Sequence, residues 1–208
     1  MLLIGQYDSP FVRRTAIALR LYGLAYEHRP WSVWADEAEL AKVSPLRRVP
    51  VLVLDDGEAL VDSVSILDYL DERVGPERAL YPASGAARRA ALHVTALATG
   101  FADKAVSLFY EGLLHEQPAA KWASRCRRQI LETWAVLEKD RASRTTPCWF
   151  GMELTHSDIA VACALRFTQE AHPRSFELGP FPALAEHAAR CEALEVFRAI
   201  QQPFHVAT

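Results

Sequence analysis

The residues best suited to chemistry stand near the N-terminus, at Ser9 and Pro10, shortly after the apolar run 2–4. Serine is a preferred helix N-cap, and proline is favoured as the first helical residue because its missing N–H would be unpaired there anyway. The sequence therefore predicts a helix that begins at Ser9, with a hydroxyl and free backbone N–H groups at the carboxyl end of a strand. A helix N-terminus favours an anion, and in an open α/β sheet a ligand is expected at this edge.

A second polar pair, Asp62-Ser63, precedes another helical pattern. The carboxylate of Asp62 can hold an ammonium group, and the hydroxyl and amide of Ser63 can hold a carboxylate at a helix N-terminus. Together the two residues match the head group of an α-amino acid. An isolated Asp-Ser pair is more often a simple helix cap, so the binding interpretation depends on the rest of the chain.

The elements that must position these residues follow from the apolar periodicity of the first 75 residues. Helical spacing continues from Ser9 to Gly23, a good C-terminal stop, and the first strand is expected to include Tyr7. Turn residues at 55–58 separate two strand patterns and predict a hairpin. The predicted helices are 10–22, 37–43 and 63–74, and the later strands are 25–29, 51–54 and 59–61. The order is β-α-β-α-β-β-α.

The second part of the chain is predicted to be all helical. A Pro/Gly/Ala-rich stretch at 76–85 reads as a linker, and no convincing strand pattern follows it. We therefore expect domains at 1–75 and 86–208. The run 159–165 is apolar nearly all round, which indicates a buried central helix, and Thr155 with Asp158 forms a capping box before it. The predicted helices are 86–114, one after Pro118 that includes Leu137, the capped third helix, 183–190 and 194–201.

Composition excludes several classes of partner. The net charge is -3, with 23 basic and 26 acidic residues, so there is no basic surplus for nucleic acid or a membrane surface. The four cysteines lack C-x-x-C spacing, which argues against a metal site and a disulfide framework and fits a reduced cytoplasmic protein. No targeting segment or membrane span is predicted.

Taken in order, these motifs resemble the cytosolic glutathione S-transferase superfamily, and the resemblance covers the whole chain. It implies a thioredoxin-like α/β N-terminal domain, an all-α helical-bundle domain, glutathione as co-substrate and a homodimer. The serine at the first helix is similar to bacterial serine-type transferases, because relatives of another type carry cysteine there and no cysteine precedes Cys126. The motifs are Ser9-Pro10-Phe11-Val12-Arg13, Ser44-Pro45-Leu46-Arg47-Arg48-Val49-Pro50, Asp62-Ser63 and Thr155-His156-Ser157-Asp158.

The resemblance also implies roles for single residues. Pro50 matches the family's cis-proline, which would present the backbone of Val49 to a peptide-like ligand. Asp62 and Ser63 match the pair that holds the γ-glutamyl group. Ser9 would donate a hydrogen bond to the thiol sulfur, unless it only caps the helix. The other residues expected to bind glutathione are Phe11, Trp34 and Arg48, and those expected at the second-substrate pocket are Tyr7, Asp103 and Tyr110.

The sequence alone leaves three points open. Arg47-Arg48 replaces the glycine and lysine that many relatives place before the Val-Pro, so Arg48 either meets the glycyl carboxylate or lies in a solvated loop. Tyr7 is a rival hydroxyl to Ser9. Asp103 is expected to face the second substrate because an unpaired buried carboxylate is costly.

The function implied is activation of the glutathione thiol for attack on small electrophilic, largely apolar substrates. A glutathione-dependent isomerase, dehalogenase or peroxidase is an alternative on the same fold, and a non-enzymatic glutathione-binding or regulatory protein is another. The electrophile depends on the fourth helix and on the tail 203–205.

Overall fold

The computed structural model describes residues 1–204 and divides into two compact units. One unit contains Met1–Ala83 together with the described residues from Leu194 onward, and the other is Ser84–Ala193. The sequence analysis predicts that all of 86–208 belongs to the helical domain. The structure differs at the last helix, which packs with the sheet unit because a buried arginine of the first helix binds its carbonyl groups.

The sheet unit has a four-stranded mixed sheet in the order β2 (Glu27–Arg29), β1 (Leu2–Ile4), β3 (Val51–Val53) and β4 (Ala59–Val61). β1 pairs in parallel with β2 and antiparallel with β3, and β3 forms the predicted hairpin with β4. This confirms the thioredoxin-like order β-α-β-α-β-β-α. The elements are β1 (Leu2–Ile4), α1 (Pro10–Leu21), β2 (Glu27–Arg29), α2 (Glu37–Val43), β3 (Val51–Val53), β4 (Ala59–Val61), α3 (Ser63–Val74) and, from the end of the chain, α8 (Glu195–Ala199).

The strands are short because the residues that follow them leave the extended conformation. β1 ends at Ile4, since Gly5 has φ +127°, a region that residues with a side chain rarely adopt. The prediction that Tyr7 lies inside the first strand is therefore wrong, and Tyr7 belongs to the loop before α1. Ile4, Leu40 and Val51 are fully buried and form one core cluster of this unit.

The helical unit is built around α6, as its apolar sequence predicted. Twelve of its 16 residues are buried, and Thr155 and Asp158 form the predicted capping box at its start. Trp134 and Trp149 are also fully buried in this unit. The helices are α4 (Gly85–Leu114), α5 (Ala120–Ala142), α6 (His156–Ala171) and α7 (Pro182–Glu192). Among residues 1–204, no helix is both long enough and apolar enough to cross a bilayer.

Candidate functional site

Three segments of the sheet unit meet at the carboxyl end of β1. A Cβ added to Gly5 would lie 2.5 Å from Cγ2 of Val12 in α1 and 2.7 Å from Cβ of Val49. Real Cβ atoms are not found that close to backbone-fixed neighbours, so a larger residue at position 5 would push these segments apart. The Val49–Pro50 peptide bond is cis, which confirms the prediction made for Pro50. Gly5 thus brings the loop before α1 against the cis-proline loop.

Ser9 is the N-cap of α1, as predicted. Its Oγ accepts a hydrogen bond from the backbone N–H of Val12 at 3.4 Å, and its carbonyl accepts from the N–H of Arg13 at 2.9 Å. A hydroxyl has one donor and two acceptor positions. Capping uses an acceptor position, which leaves the O–H available to donate to another group. Capping and donation to a ligand are therefore compatible functions of the same side chain.

Tyr7 is held by its neighbours through both its ring and its hydroxyl. The ring stacks on His28 with centroids 3.8 Å apart, and the hydroxyl lies 3.0 Å from that of Tyr26. Burial, reinforced by this contact with Tyr26, raises the pKa of Tyr7 well above its ordinary value. The phenol therefore stays protonated at neutral pH, and its hydroxyl is already engaged with Tyr26.

Asp62 and Ser63 lie at the start of α3. Asp62 has φ +70°, and its Oδ1 accepts a hydrogen bond from the N–H of Val64 at 2.7 Å. Its side chain is exposed, so its carboxylate can also accept from a ligand. Ser63 is 2% exposed, and its carbonyl accepts from Nη2 of the buried Arg14 at 3.5 Å. Ser63 is thus fixed to α1 through its carbonyl group, and Asp62 presents an exposed carboxylate.

The remaining predicted glutathione residues belong to three segments of the sheet unit: the first turn of α1, the turn before α2 and the cis-proline loop. Arg47 has φ +49°, and its Nη1 donates to Glu37 at 2.6 Å, so the first of the two adjacent arginines is engaged by α2. Arg48 is exposed and directly precedes Val49. Trp34 is 50% exposed in the turn before α2, and Phe11 is partly buried in the first turn of α1.

Asp103 and Tyr110, predicted at the second-substrate pocket, lie on α4 of the helical unit. The sequence analysis predicts that Asp103 is a buried carboxylate without a partner. In the structure Nζ of Lys104 lies 3.3 Å from Oδ2 of Asp103, and the Asp103 side chain is 44% exposed. The adjacent Lys104 therefore supplies a positive charge next to Asp103, and no bound ligand is needed to explain its carboxylate. Tyr110 packs edge-on against Phe109, with centroids 5.4 Å apart. Of the tail 203–205, position 205 lies outside the described residues.

Three contributors near Ser9 were missed by sequence reasoning. Gly5 could have been found, because a glycine between an apolar run and a Ser-Pro helix start is a usual sign of a tight backbone approach. Nε2 of His28 lies 2.8 Å from the carbonyl oxygen of Gly5, and Oε1 of Gln202 accepts from the N–H of Tyr7 at 2.8 Å. Neither contact has a local sequence signal.

Within residues 1–204, no group of three or more His, Cys, Asp or Glu side chains could hold a metal ion.

Comparisons with known proteins identify the family of this chain. The family models "Glutathione S-transferase, N-terminal domain" and "Glutathione S-transferase, C-terminal domain" match residues 3–78 and 120–190. An uncharacterized GST-like protein of Escherichia coli, YibF, is 30% identical over 171 residues, which cover 80% of this chain and 81% of that protein. A probable maleylacetoacetate isomerase 1 of Drosophila melanogaster is 25% identical over 204 residues, covering 95% of this chain and 80% of that protein.

A solved structure extends the comparison to three dimensions. The glutathione S-transferase of Methylobacterium radiotolerans, crystallised in complex with glutathione sulfonate, superposes with a TM-score of 0.92 at 27% identity. The match covers 100% of this chain and 97% of that one. The fold of this chain is thus also that of a solved protein with a bound glutathione derivative.

Proposed function

Because the chain belongs to the glutathione S-transferase superfamily, we propose that it is a glutathione transferase of the serine type, which activates the thiol of glutathione for attack on small, largely apolar electrophiles. The observation that carries the proposal is the hydrogen bonding of the Ser9 hydroxyl. Its hydroxyl caps α1 through an acceptor position and keeps its O–H to donate. Ser9 begins α1, whose Val12 lies against Gly5 together with Val49 of the cis Val49–Pro50 bond, at the edge of the sheet where a ligand is expected.

The proposed activation is electrostatic. A free thiol with a pKa near 8.5 is only about 3% ionised at pH 7, and lowering that pKa by about two units makes it mostly thiolate. A hydrogen bond from the Ser9 hydroxyl stabilises the thiolate and not the thiol, and the N-terminus of α1 favours the same negative charge. The proton of the thiol is released to solvent. The thiolate then attacks the electrophilic carbon of the second substrate, and with an aryl halide the new C–S bond replaces the carbon–halogen bond as halide ion leaves to solvent.

The remaining proposed contacts fix glutathione so that its sulfur meets Ser9. Asp62 accepts from the ammonium of the γ-glutamyl group, and the hydroxyl and N–H of Ser63 donate to its carboxylate. The N–H and C=O of Val49 pair with the peptide part of the ligand, and Arg48 donates to the glycyl carboxylate. Trp34 and Phe11 cover apolar portions of the ligand. Tyr7, Asp103 and Tyr110 stay predictions for the second substrate.

We also propose that the protein is a cytoplasmic homodimer. The four cysteines are all buried free thiols, which suits a reducing compartment. Resemblance to the family suggests a dimer contact through α4, where the alanine-rich stretch 86–98 allows close helix approach. Sedimentation at micromolar concentration tests the dimer, and a species near the 23.2 kDa chain mass would contradict it.

A second candidate function is a glutathione-dependent cis–trans isomerase, favoured by the likeness to the probable maleylacetoacetate isomerase over nearly the whole chain. The two activities differ in stoichiometry, because conjugation consumes the thiol and isomerisation returns it. An assay that follows free thiol with an aryl halide, and separately with a cis-enoyl diacid, distinguishes them. Thiol loss with the halide supports the transferase. Turnover of the diacid at constant thiol supports the isomerase, and binding of glutathione without either activity supports a non-enzymatic protein.

A further inference from the structure

The segment that follows the helical unit returns to the loop in front of Ser9. Gln202 and Tyr7 are 195 positions apart in the sequence, yet Oε1 of Gln202 accepts from the backbone N–H of Tyr7 at 2.8 Å. That N–H lies two residues before Ser9, in the loop between β1 and α1. The side chain of Gln202 is partly buried, so part of it is shielded from competing water. Gln202 therefore supplies a hydrogen-bond acceptor for a backbone amide of the loop between β1 and α1.

The same segment is anchored to α1 by a buried cation. Arg13 is 2% exposed, its Nε donates to the carbonyl of Ile200 at 2.7 Å, and its Nη2 donates to the carbonyl of Phe197 at 3.0 Å. Its guanidinium also lies 5.4 Å from the ring centroid of Phe197. A guanidinium bound to two carbonyl oxygens through separate nitrogens has a defined orientation. Arg13 therefore fixes the backbone of residues 197–200, from which Gln202 reaches Tyr7.

The loop before Ser9 is held from its other side by β2. Nε2 of His28 lies 2.8 Å from the carbonyl oxygen of Gly5, and the ring of His28 stacks on that of Tyr7. The N–H of Ser9 donates to the carbonyl of Gln6 at 3.2 Å, which closes the loop on itself. With Gly5 held by β2, the contact with Gln202 fixes the part of the loop closest to Ser9.

We propose that the C-terminal segment 195–202 is part of the thiol site, and that Gln202 is a positioning residue that sets the direction of the Ser9 hydroxyl through the amide of Tyr7. The inference rests on the proposed function, because it assigns the segment a role in thiol activation. Arg13 is the anchor that makes the contact possible. A loop free to shift by an ångström would weaken a hydrogen bond from Ser9 to sulfur, because such bonds are steep in distance and angle.

The test compares Gln202→Met, which keeps length and volume but removes the acceptor, with Gln201→Met at the adjacent exposed glutamine. Hydrogen exchange of the Tyr7 amide reports the contact without any ligand, and loss of one hydrogen bond should speed it about three- to tenfold in Gln202→Met. With glutathione bound, the thiol pKa should rise and kcat/KM at neutral pH should fall about three- to tenfold, with recovery at high pH. Gln201→Met should match the wild type in each measurement.

Three results would overturn the inference in distinguishable ways. A wild type that binds and ionises glutathione normally, with an unchanged thiol pKa in Gln202→Met, would refute the positioning role and leave the proposed function intact. A lower melting temperature in Gln202→Met with no change in thiol pKa would assign the contact to stability alone and also refute it. A wild type that binds no glutathione would refute the proposed function itself, and the positioning role with it.

Discussion

Two helix starts, at α1 and α3 of the sheet unit, differ from the start of α6 in the helical unit in how completely their polar groups are used. Asp158 of α6 is fully buried, and its two oxygens accept from the N–H of Trp149 and from both the N–H and the hydroxyl of Thr155, at 2.6 to 2.9 Å. Asp62 of α3 is exposed, and its Oδ1 accepts a backbone hydrogen bond from the N–H of Val64. Ser9 of α1 makes one long capping contact.

The comparison shows that the same capping chemistry serves two purposes. Where every lone pair and proton is satisfied internally, the cap can only stabilise the fold. Where an acceptor or a donor remains, the helix N-terminus can still bind an anion or an ammonium group. Residue type alone does not distinguish these cases, since helix starts of both kinds are built from Ser, Thr and Asp. They are distinguished by the number of hydrogen-bond partners that each polar side chain has within the protein.

The largest expected effect is on stability, at Asp158. Asp158→Asn places an amide N–H₂ against groups that are themselves donors, so we expect a loss of about 3 kcal/mol in the free energy of unfolding. Asp62→Asn, the matched change at an exposed cap, should cost less than about 1 kcal/mol. Urea denaturation of both variants gives the two values. Equal losses would contradict the distinction between a closed and an open helix start.

The next effect is on binding, at α3. Removing one charge-assisted hydrogen bond costs roughly 1.5 to 3 kcal/mol, so Asp62→Ala and Ser63→Ala should each weaken glutathione binding about ten- to a hundredfold. Calorimetric titration measures this directly. Asp56→Ala is the control, since Asp56 is an exposed aspartate whose Oδ1 accepts from the N–H of Glu58 at 3.0 Å. Unchanged affinity in both α3 variants would remove these residues from the site.

The smallest effect is the response of stability to acid, and we expect His172 and His187 of the helical unit to contribute to it. Burial lowers the pKa of His172 and of His187 below the ordinary value. Each imidazole is therefore neutral in the folded protein at a pH where the unfolded chain already binds a proton. Stability should then fall as the pH drops below about 6.5, because the unfolded state holds more protons there.

A single variant isolates part of this acid sensitivity. His172→Gln removes the titrating group while a side-chain amide can still donate toward the carbonyl of Ala105, which Nε2 of His172 meets at 2.9 Å. The urea midpoint of this variant should change less between pH 7.5 and pH 5.5 than that of the wild type. The exposed His93→Gln on α4 is the control. A variant with the wild-type slope would show that His172 does not carry the acid sensitivity.

Much of the fold could be predicted because its signals are local. The bounds of α2, the β3–β4 hairpin and the Thr155–Asp158 capping box each depend on residues within a few positions of one another. The error at Tyr7 has a physical reason. Tyrosine favours strands, and only the positive φ of Gly5 shows that the strand has already ended.

The parts that could not be predicted depend on distant partners. Arg13 was noted as part of a motif, but its carbonyl partner at Ile200 is 187 positions away, so a single sequence gives no sign of it. The placement of the last helix with the sheet unit follows from that contact. The residue types at the site were readable from the sequence, whereas the number of internal partners that each one has was not.

The ionisation of glutathione bound to the wild type and to Ser9→Ala tests the central claim most directly. The pKa is read from thiolate absorbance as a function of pH. We expect a pKa about two units below 8.5 in the wild type, and a rise of about one to two units in Ser9→Ala, because a hydrogen bond to a charged group is worth roughly 1.5 to 3 kcal/mol. High pH should then restore the turnover of the variant. A wild-type titration curve in Ser9→Ala, with only about 1 kcal/mol of lost stability, would reduce Ser9 to a helix cap and contradict the account.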